Sequence, residues 1–201
     1  MCRIAEHGGS TGYRKFDHLI AVTSRHLCQR PFLEQLERIC RHHPKAVILR
    51  EKDLTEDDYL FFAKDALAIC REHGVRCVLH TFTRAALQLE HPYLHLPLAA
   101  LQKEGGKPDG IETLGSSIHS VSEAQEAERL GADYLTAGHI YATDCKAGVP
   151  PRGLDFLEEV CRAVQIPVYG IGGVQIGSGQ LDEMMARGAA GACVMSGMMR
   201  L

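Results

Sequence analysis

The residues best suited to chemistry are concentrated in one stretch, 115–153, which reads GSSIHSVSEAQEAERLGADYLTAGHIYATDCKAGVPPRG. Its first apolar run ends in Ser117 and His119, directly before a helical pattern. A neutral imidazole can accept a proton near neutral pH and return it, as general acid–base catalysis requires. We therefore predict that His119 is the catalytic residue. His80 and His139 remain open as alternatives, because each of them also follows an apolar run.

Two glycine-containing turns near the end of the chain suggest an anion site. Gly172 and Gly173 follow the run VYGI, and Ser196 and Gly197 follow GACVM. Turns of this kind can present backbone N–H groups to a phosphate, and glycine permits a close approach of the backbone. We predict that these four residues bind a phosphate group. The alternative is two tight turns that have no ligand.

A set of cationic and hydroxyl side chains could bind the rest of an anionic ligand. Arg50 and Lys52 end the run AVIL, and their two-residue spacing places them on one face of a strand. They could bind a carboxylate or a phosphate, or they could simply be solvated. Thr143 and Lys146 in the later polar loop add a hydroxyl and an ammonium group. Since no cluster of acidic residues has metal-ligand spacing, we expect no metal and no cofactor.

Eight short apolar runs alternate with stretches of helical periodicity, which is the pattern of parallel βαβ units. The predicted strands begin near residues 18, 45, 75, 93, 114, 132, 168 and 191. Polar and glycine-rich residues follow most of them, and this favours a closed α/β barrel, the (β/α)8 TIM barrel, over an open sheet. In such a barrel the carboxyl ends of all strands meet at one mouth. The candidate residues above would therefore lie on the same face.

The predicted domain organisation is an N-terminal extension over residues 1–16 and one barrel over residues 17–201. Only a few residues follow the last strand, so we expect the barrel to lack a full eighth helix. The flank of that strand is then covered by the N-terminal arm or by a partner subunit, or the barrel is less stable without a cover. We expect a homo-oligomer.

Composition excludes several classes of function. The net charge of -3 gives no basic footprint for nucleic acid. No apolar run approaches the roughly 18 residues of a membrane span, so we expect no membrane partner and a cytoplasmic location. None of the eight cysteines forms a Cys-x-x-Cys pair, and most fit the apolar faces of predicted elements. Cys145 lies in the polar loop, where we expect no direct chemical role.

The motifs in combination resemble the thiazole tautomerases, relatives of thiamine-phosphate synthase that share its barrel. The matching segments are Gly115-x-Ser117-x-His119-Ser120, residues 131–134, Gly138-His139, residues 143–148, Arg152-Gly153, residues 171–173 and residues 194–197. The resemblance implies that His119 moves a proton on a dihydrothiazole carboxylate phosphate, so that the ring becomes aromatic. It also implies that a thiazole phosphate is the small-molecule ligand, bound by Arg50, Lys52, Ser117, His139, Thr143, Lys146, Gly172, Gly173, Ser196 and Gly197.

The synthase subgroup is similar but differs at its magnesium pyrophosphate site. It has a Gln-x-Arg-x-Lys second strand, an Asn-Asp pair after the third strand and an Asp after the fourth. Here those places read Ile48-x-Arg50-x-Lys52, His80-Thr81 and Leu96-Pro97. We therefore expect a thiazole tautomerase, an isomerase of thiamine biosynthesis. Two alternatives stay open: a thiamine-phosphate synthase, which joins thiazole phosphate to a pyrimidine pyrophosphate, and a non-catalytic, regulatory thiazole-phosphate binder.

Overall fold

The structure is a computed structural model that describes residues 16–143, 146 and 148–201. Its eight parallel strands close into a barrel in chain order, so the predicted (β/α)8 TIM barrel is confirmed. The strands are β1 Leu19–Val22, β2 Ala46–Leu49, β3 Cys77–His80, β4 Tyr93–Pro97, β5 Thr113–Ile118, β6 Tyr134–Gly138, β7 Val168–Ile171 and β8 Gly191–Val194. Closure comes from β1 pairing with both β2 and β8.

Helices follow the strands as the periodicity predicted. They are α1 Phe32–Cys40, α2 Glu56–Glu72, α3 Thr83–Gln88, α4 Leu98–Glu104, α5 Val121–Arg129, α6 Gly153–Ala163, α7 Gln180–Ala186 and α8 Ser196–Met199, with a 3-10 helix at Arg25–Leu27. Local caps explain two of the starts. Thr55 accepts a hydrogen bond from the Asp58 amide at the start of α2, and Ser120 accepts one from the Glu123 amide at the start of α5.

The hydrophobic core has two parts, because alternate residues of each strand face opposite sides. The larger part lies between the strands and the helices. The smaller part fills the barrel interior, and its buried members are Ile20, Val22, Ala46, Ile48, Val78, Tyr134, Tyr169 and Cys193. Arg50 and Lys52 lie two and four residues beyond Ile48, so their positions continue the inward-facing series to the mouth of the barrel.

The last strand is followed by α8, a helix of only four residues, and its flank is covered from within the chain. Met198 and Met199 are buried. The Gln35 side chain of α1 donates to the Met198 carbonyl at 2.7 Å, and Arg30 donates to the Leu201 carbonyl at 2.7 Å. The cover that we expected from the N-terminal arm or from a second subunit is thus provided in part by α1.

Replacing Gln35 with leucine should lower the free energy of unfolding by about 1–3 kcal/mol, because the Met198 carbonyl would lose its buried donor. Urea denaturation measures the change. The matched control is Gln102→Leu on α4, where the side chain is exposed and the expected change is within about 0.5 kcal/mol. Equal stability of the two variants would show that the hydrogen bond from Gln35 to Met198 does not stabilise the packing of α8 on α1.

The described chain begins at Phe16, which already belongs to the barrel. Its side chain is buried, its ring stacks on His42 with centroids 4.9 Å apart, and its carbonyl accepts from the Leu19 amide at 2.9 Å. The rest of the predicted extension, residues 1–15, lies outside the described residues. Across the described part of the chain, each helix is too short or too polar to cross a membrane.

Candidate functional site

The carboxyl ends of the strands bring the candidate residues to one face of the barrel. Arg50 and Lys52 follow β2, Ser117 and His119 lie at the end of β5, and His139 begins the segment after β6. The two glycine-containing turns follow β7 and β8, which are neighbours in the barrel.

The polar loop after β6 is described only in part. Asp144 and Cys145 lie outside the described residues, whereas Thr143 and Lys146 are described and joined by a backbone hydrogen bond of 3.0 Å.

His119 is exposed, and the chain fixes its orientation from two sides. Its Nδ1 lies 2.8 Å from the Gly138 carbonyl oxygen, which can only accept, so Nδ1 carries the proton. In the neutral ring, Nε2 is then left as an acceptor. Ser120 and Glu123 have the Ser-x-x-Glu spacing of a capping box, and the His119 amide donates to the Glu123 carboxylate at 2.5 Å, so Glu123 reaches one residue further back than Ser120. This arrangement makes His119 competent to accept a proton or a hydrogen bond.

A pocket of about 620 Å³ lies beside His119, between the ends of β5 and β6 and the segment that follows them. Its lining residues are His119, Glu123, Gly138, His139, Lys146, Val149, Pro150, Pro151 and Arg152. Two imidazoles, two cations and one carboxylate thus share one opening with apolar walls. Among the described lining residues, the pocket includes three of the predicted site residues but neither of the glycine-containing turns.

The glycines after β7 are required first by the protein's own packing. Gly172 and Gly173 have φ values of +99° and +71°, which favour glycine. A Cβ at Gly172 would lie 2.3 Å from the His139 Cβ, and one at Gly173 would lie 2.4 Å from the Ala142 carbonyl oxygen. The segment after β6 therefore packs directly against the end of β7, where the Tyr141 amide donates to the Gly172 carbonyl at 3.0 Å. The predicted phosphate contact of Gly172 and Gly173 remains a prediction.

The turn after β8 is less constrained. A Cβ at Gly197 would lie 3.2 Å from a Val194 methyl group and 3.5 Å from Ile176 of the segment after β7. The turns after β7 and β8 therefore approach each other, as one shared phosphate site would need. Ser196 is half-buried at the start of α8. Its predicted phosphate contact also remains a prediction.

The mouth of the barrel beside β2 is electropositive. The pKa of Lys52 is lowered, by partial burial first and then by the positive charges of Arg50 and Lys146. The Arg50 amide donates to the Thr23 hydroxyl at 2.8 Å, which fixes the chain where it leaves β2. Three cations from two separate segments thus act on the same space. This is an environment for a multiply charged anion.

A buried polar network lies below these cations, and its central member, His95, was not among the predicted site residues. Its Nδ1 lies 3.0 Å from the Tyr134 hydroxyl and its Nε2 lies 2.8 Å from Ser117 Oγ. The Thr136 hydroxyl lies 3.1 Å from the same Ser117 oxygen. The His80 ring stacks on His95 with centroids 5.4 Å apart. The inward register of β4 was the sequence signal that could have identified His95.

Both of these histidines are held neutral. Burial lowers the pKa of His95 to about 3. The pKa of His80 is lowered well below its ordinary value, by burial first, then by the adjacent His95 ring and by the positive charges of Arg50 and Lys52. His80 was an open alternative for the acid–base residue. It is buried and its Nδ1 contacts the Thr81 hydroxyl at 2.6 Å, so it is less accessible to a ligand than His119 is.

The described residues do not fit a magnesium ion. Magnesium prefers carboxylate, carbonyl and water oxygens in octahedral geometry. The places of the synthase acids hold His80-Thr81 and the apolar Leu96-Pro97, and the described chain contains no cluster of three or more metal-ligating side chains. Glu51 stands nearby but is buried and engaged by the Thr23 hydroxyl at 2.8 Å and by Arg25 at 3.1 Å.

A closed α/β barrel whose mouth carries cations, histidines and two glycine-containing turns defines a barrel protein suited to phosphorylated small molecules. Comparison with known proteins narrows the class. The profile of a family described as thiamine monophosphate synthase matches residues 19–198. The chain belongs to this family.

Individual relatives agree with the family match. Thiamine-phosphate synthase 2 of Streptococcus pneumoniae is 34% identical over 174 residues, which cover 84% of this chain and 80% of that protein. Thiamine-phosphate synthase of Syntrophomonas wolfei is 34% identical over 188 residues, covering 90% and 88%. The solved thiamine phosphate pyrophosphorylase of Pyrococcus furiosus superposes with a TM-score of 0.75 at 26% identity, covering 92% and 88%.

These names overturn the expected activity. We predicted a thiazole tautomerase, an isomerase, but the relatives that match most of the chain are named thiamine-phosphate synthases. The prediction of the superfamily and its barrel is confirmed, and the prediction of a tautomerase is wrong. A histidine at the barrel mouth and a polar loop after β6 do not by themselves determine which reaction the barrel performs.

Proposed function

We propose that the protein is a thiamine-phosphate synthase, a transferase that joins a thiazole phosphate to a pyrimidine pyrophosphate. The observation that carries this proposal is the family match over residues 19–198, together with relatives of that name that align with most of the chain. Joining the two substrates releases pyrophosphate, so negative charge must be stabilised on the leaving group. The cations beside β2 supply positive charge for that purpose.

The residues divide between the two substrates. Arg50, Lys52 and Lys146 bind the pyrophosphate of the pyrimidine, because their charges already act on one another. Gly172, Gly173, Ser196 and Gly197 bind the phosphate of the thiazole through backbone N–H groups. Ser117, His119, His139 and Thr143 lie between them, where they contact the two rings. The Nδ1 of His119 faces the Gly138 carbonyl, so in the neutral ring Nε2 can receive a hydrogen bond from the pyrimidine amino group.

The pyrophosphate is held by direct ion pairs in this proposal. The described acidic residues near the mouth do not form a magnesium site, since Glu51 and Asp53 are both engaged by Arg25. Arginine and lysine neutralise phosphoryl oxygens without a metal, although a point charge from lysine is less directional than a bidentate arginine. We therefore expect coupling to persist when divalent cations are removed.

The test is a coupling assay with purified protein, thiazole phosphate and pyrimidine pyrophosphate, in EDTA and again with magnesium. Formation of thiamine phosphate in EDTA, at a rate within about threefold of the magnesium rate, is the expected result. Coupling that appears only with magnesium would overturn the direct ion pairs but not the transferase. Tight binding of thiazole phosphate without any coupling would replace the transferase with the non-catalytic binder.

A further inference from the structure

The polar network inside the barrel sets the hydrogen-bond direction of Ser117. His95 is neutral, so one of its ring nitrogens donates and the other accepts. Both nitrogens face hydroxyl groups, Tyr134 at Nδ1 and Ser117 at Nε2. The direction of the whole network therefore depends on which nitrogen carries the proton.

Tyr134 decides the tautomer. It is buried, and among the described residues its hydroxyl has His95 as its hydrogen-bond partner. If Nδ1 carried the proton, the Tyr134 O–H would face a donor and lack an acceptor, which is costly for a buried group. If Tyr134 donates to Nδ1, that cost disappears. Nε2 then carries the proton and donates to Ser117 Oγ.

Ser117 is left with one free donor. Its oxygen accepts from His95 Nε2 at 2.8 Å and from the Thr136 hydroxyl at 3.1 Å, so both of its lone pairs are used. Its own hydrogen must point elsewhere. Ser117 is half-buried at the end of β5, whereas Thr136, its register partner on β6, and His95 are both buried. The Ser117 O–H can therefore point into the barrel mouth, where it can donate a hydrogen bond.

The backbone makes room for this arrangement at one position. Gly115 pairs with His95 of β4 on one side and with Tyr134 of β6 on the other. A Cβ at Gly115 would lie 2.1 Å from the Tyr134 ring and 2.4 Å from His95 Nδ1. The two side chains meet across the space that glycine leaves open. Gly115 thus leaves room for the His95–Tyr134 pair, and Ser117 accepts the hydrogen bond that His95 donates.

We propose that His95 is a positioning residue that holds Ser117 as a hydrogen-bond donor to the ligand in the barrel mouth. The recognised group is an acceptor, either a ring nitrogen or a phosphoryl oxygen. The identity of the ligand rests on the proposed function, but the hydrogen-bond direction does not. Ser117 then discriminates against ligands that present a donor at the same place, because two donors would face each other.

The first test uses the protein without ligand. Long-range proton–nitrogen NMR spectra report which His95 nitrogen carries the proton, and we expect Nε2. The Nδ1 signal should shift in Tyr134→Phe and stay in place in Tyr169→Phe. Tyr169 is the matched control, because it packs edge-on against Tyr134 and donates no hydrogen bond to the described residues. A proton on Nδ1 in the wild-type protein would overturn the proposal.

The second test is a double-mutant cycle, with calorimetric binding of thiazole phosphate as the readout. Ser117→Ala and His95→Leu should each weaken binding about tenfold, and the double variant should also be about tenfold weaker. Independent effects would multiply to about 100-fold and would refute a role exerted through Ser117. His95→Gln retains an N–H donor and should bind within about threefold of the wild type.

The two tests separate the proposal from the proposed function. A wild-type protein that does not bind thiazole phosphate would refute the ligand assignment, while the NMR spectra would still decide the direction of the network. If His95→Leu fails to fold, as judged by circular dichroism, His95→Gln and Ser117→Ala still decide the coupling. A His95→Gln variant that binds as weakly as Ser117→Ala would contradict the donor role.

Discussion

Replacing Lys52 with methionine is expected to reduce kcat/KM for coupling by about 10² to 10³-fold, since it removes a cation aimed at the charge of a leaving group. Methionine keeps most of the length of the side chain and loses the ammonium. The effect should be as large in EDTA as in magnesium, because the proposed contact between Lys52 and the pyrophosphate is direct. Steady-state coupling rates at several pyrimidine pyrophosphate concentrations measure it.

The matched control is Lys103→Met on α4, an exposed lysine on the outside of the barrel. It should leave kcat/KM unchanged, so any loss in Lys52→Met cannot be a general effect of net charge. Inorganic pyrophosphate supplies a second readout without turnover, and its affinity should fall together with kcat/KM. If Lys52→Met couples at the wild-type rate, Lys52 does not bind the leaving group.

The lowered pKa of Lys52 gives this interaction a pH dependence whose sign can be stated. The ammonium form binds the anion and the neutral amine does not. Because partial burial and the charges of Arg50 and Lys146 lower the pKa, the ammonium is lost below the ordinary value of about 10.5. As the pH rises, pyrophosphate affinity should therefore begin to decline at a lower pH than it would if Lys52 were fully solvated. A bound anion opposes that shift.

The parts of the site that could be predicted from sequence depend on short-range periodicity. The two-residue repeat along β2 places Arg50 and Lys52 at the mouth, and a Ser-x-x-Glu spacing predicts the start of α5 beside His119. Both predictions depend only on residues that lie within a few positions of one another in the sequence. Alternation of strands and helices then fixes the barrel and, with it, the shared face of all strand ends.

The parts that could not be predicted depend on register between distant strands. His95 meets Tyr134, which is 39 residues away, because both pair with Gly115. A run such as YLHLP gives the inward positions of β4 but not the side chain that faces them from β6. In the same way, the sequence predicts that Gly172 binds a ligand, whereas the structure adds that a Cβ there would strike His139.

The reaction that the protein catalyses also could not be predicted from short sequence motifs. The prediction of a tautomerase depended on His119, the loop after β6 and the absence of the acidic residues of the synthases. In the proposed function the cations of the barrel mouth bind the pyrophosphate directly, so the loss of the acids does not exclude a transferase. Relatives matched over most of the chain carry more information on this point than a few residues at the mouth.

Acid should destabilise this barrel between about pH 6.5 and pH 5, by roughly 2 kcal/mol from His95 alone. The folded protein holds His95 neutral because burial lowers its pKa to about 3, whereas the unfolded chain binds a proton near the ordinary value of about 6.5. In this window the unfolded state therefore binds more protons, and stability falls as the pH falls. Burial is also the main reason why the pKa of His80 is lowered, so His80 adds to the loss of stability.

Urea denaturation at a series of pH values isolates the contribution of His95. His95→Gln has no titratable ring, so its stability should fall less steeply below pH 6.5, by at most about 1.4 kcal/mol per pH unit. Val78→Ala is the matched control in the barrel interior, where it should lower stability by about the same amount at every pH and leave the slope unchanged. Parallel curves for His95→Gln and the wild type would mean that His95 accepts a proton in the folded protein. In that case Nε2 would still donate to Ser117, and the added proton on Nδ1 would face the Tyr134 hydroxyl.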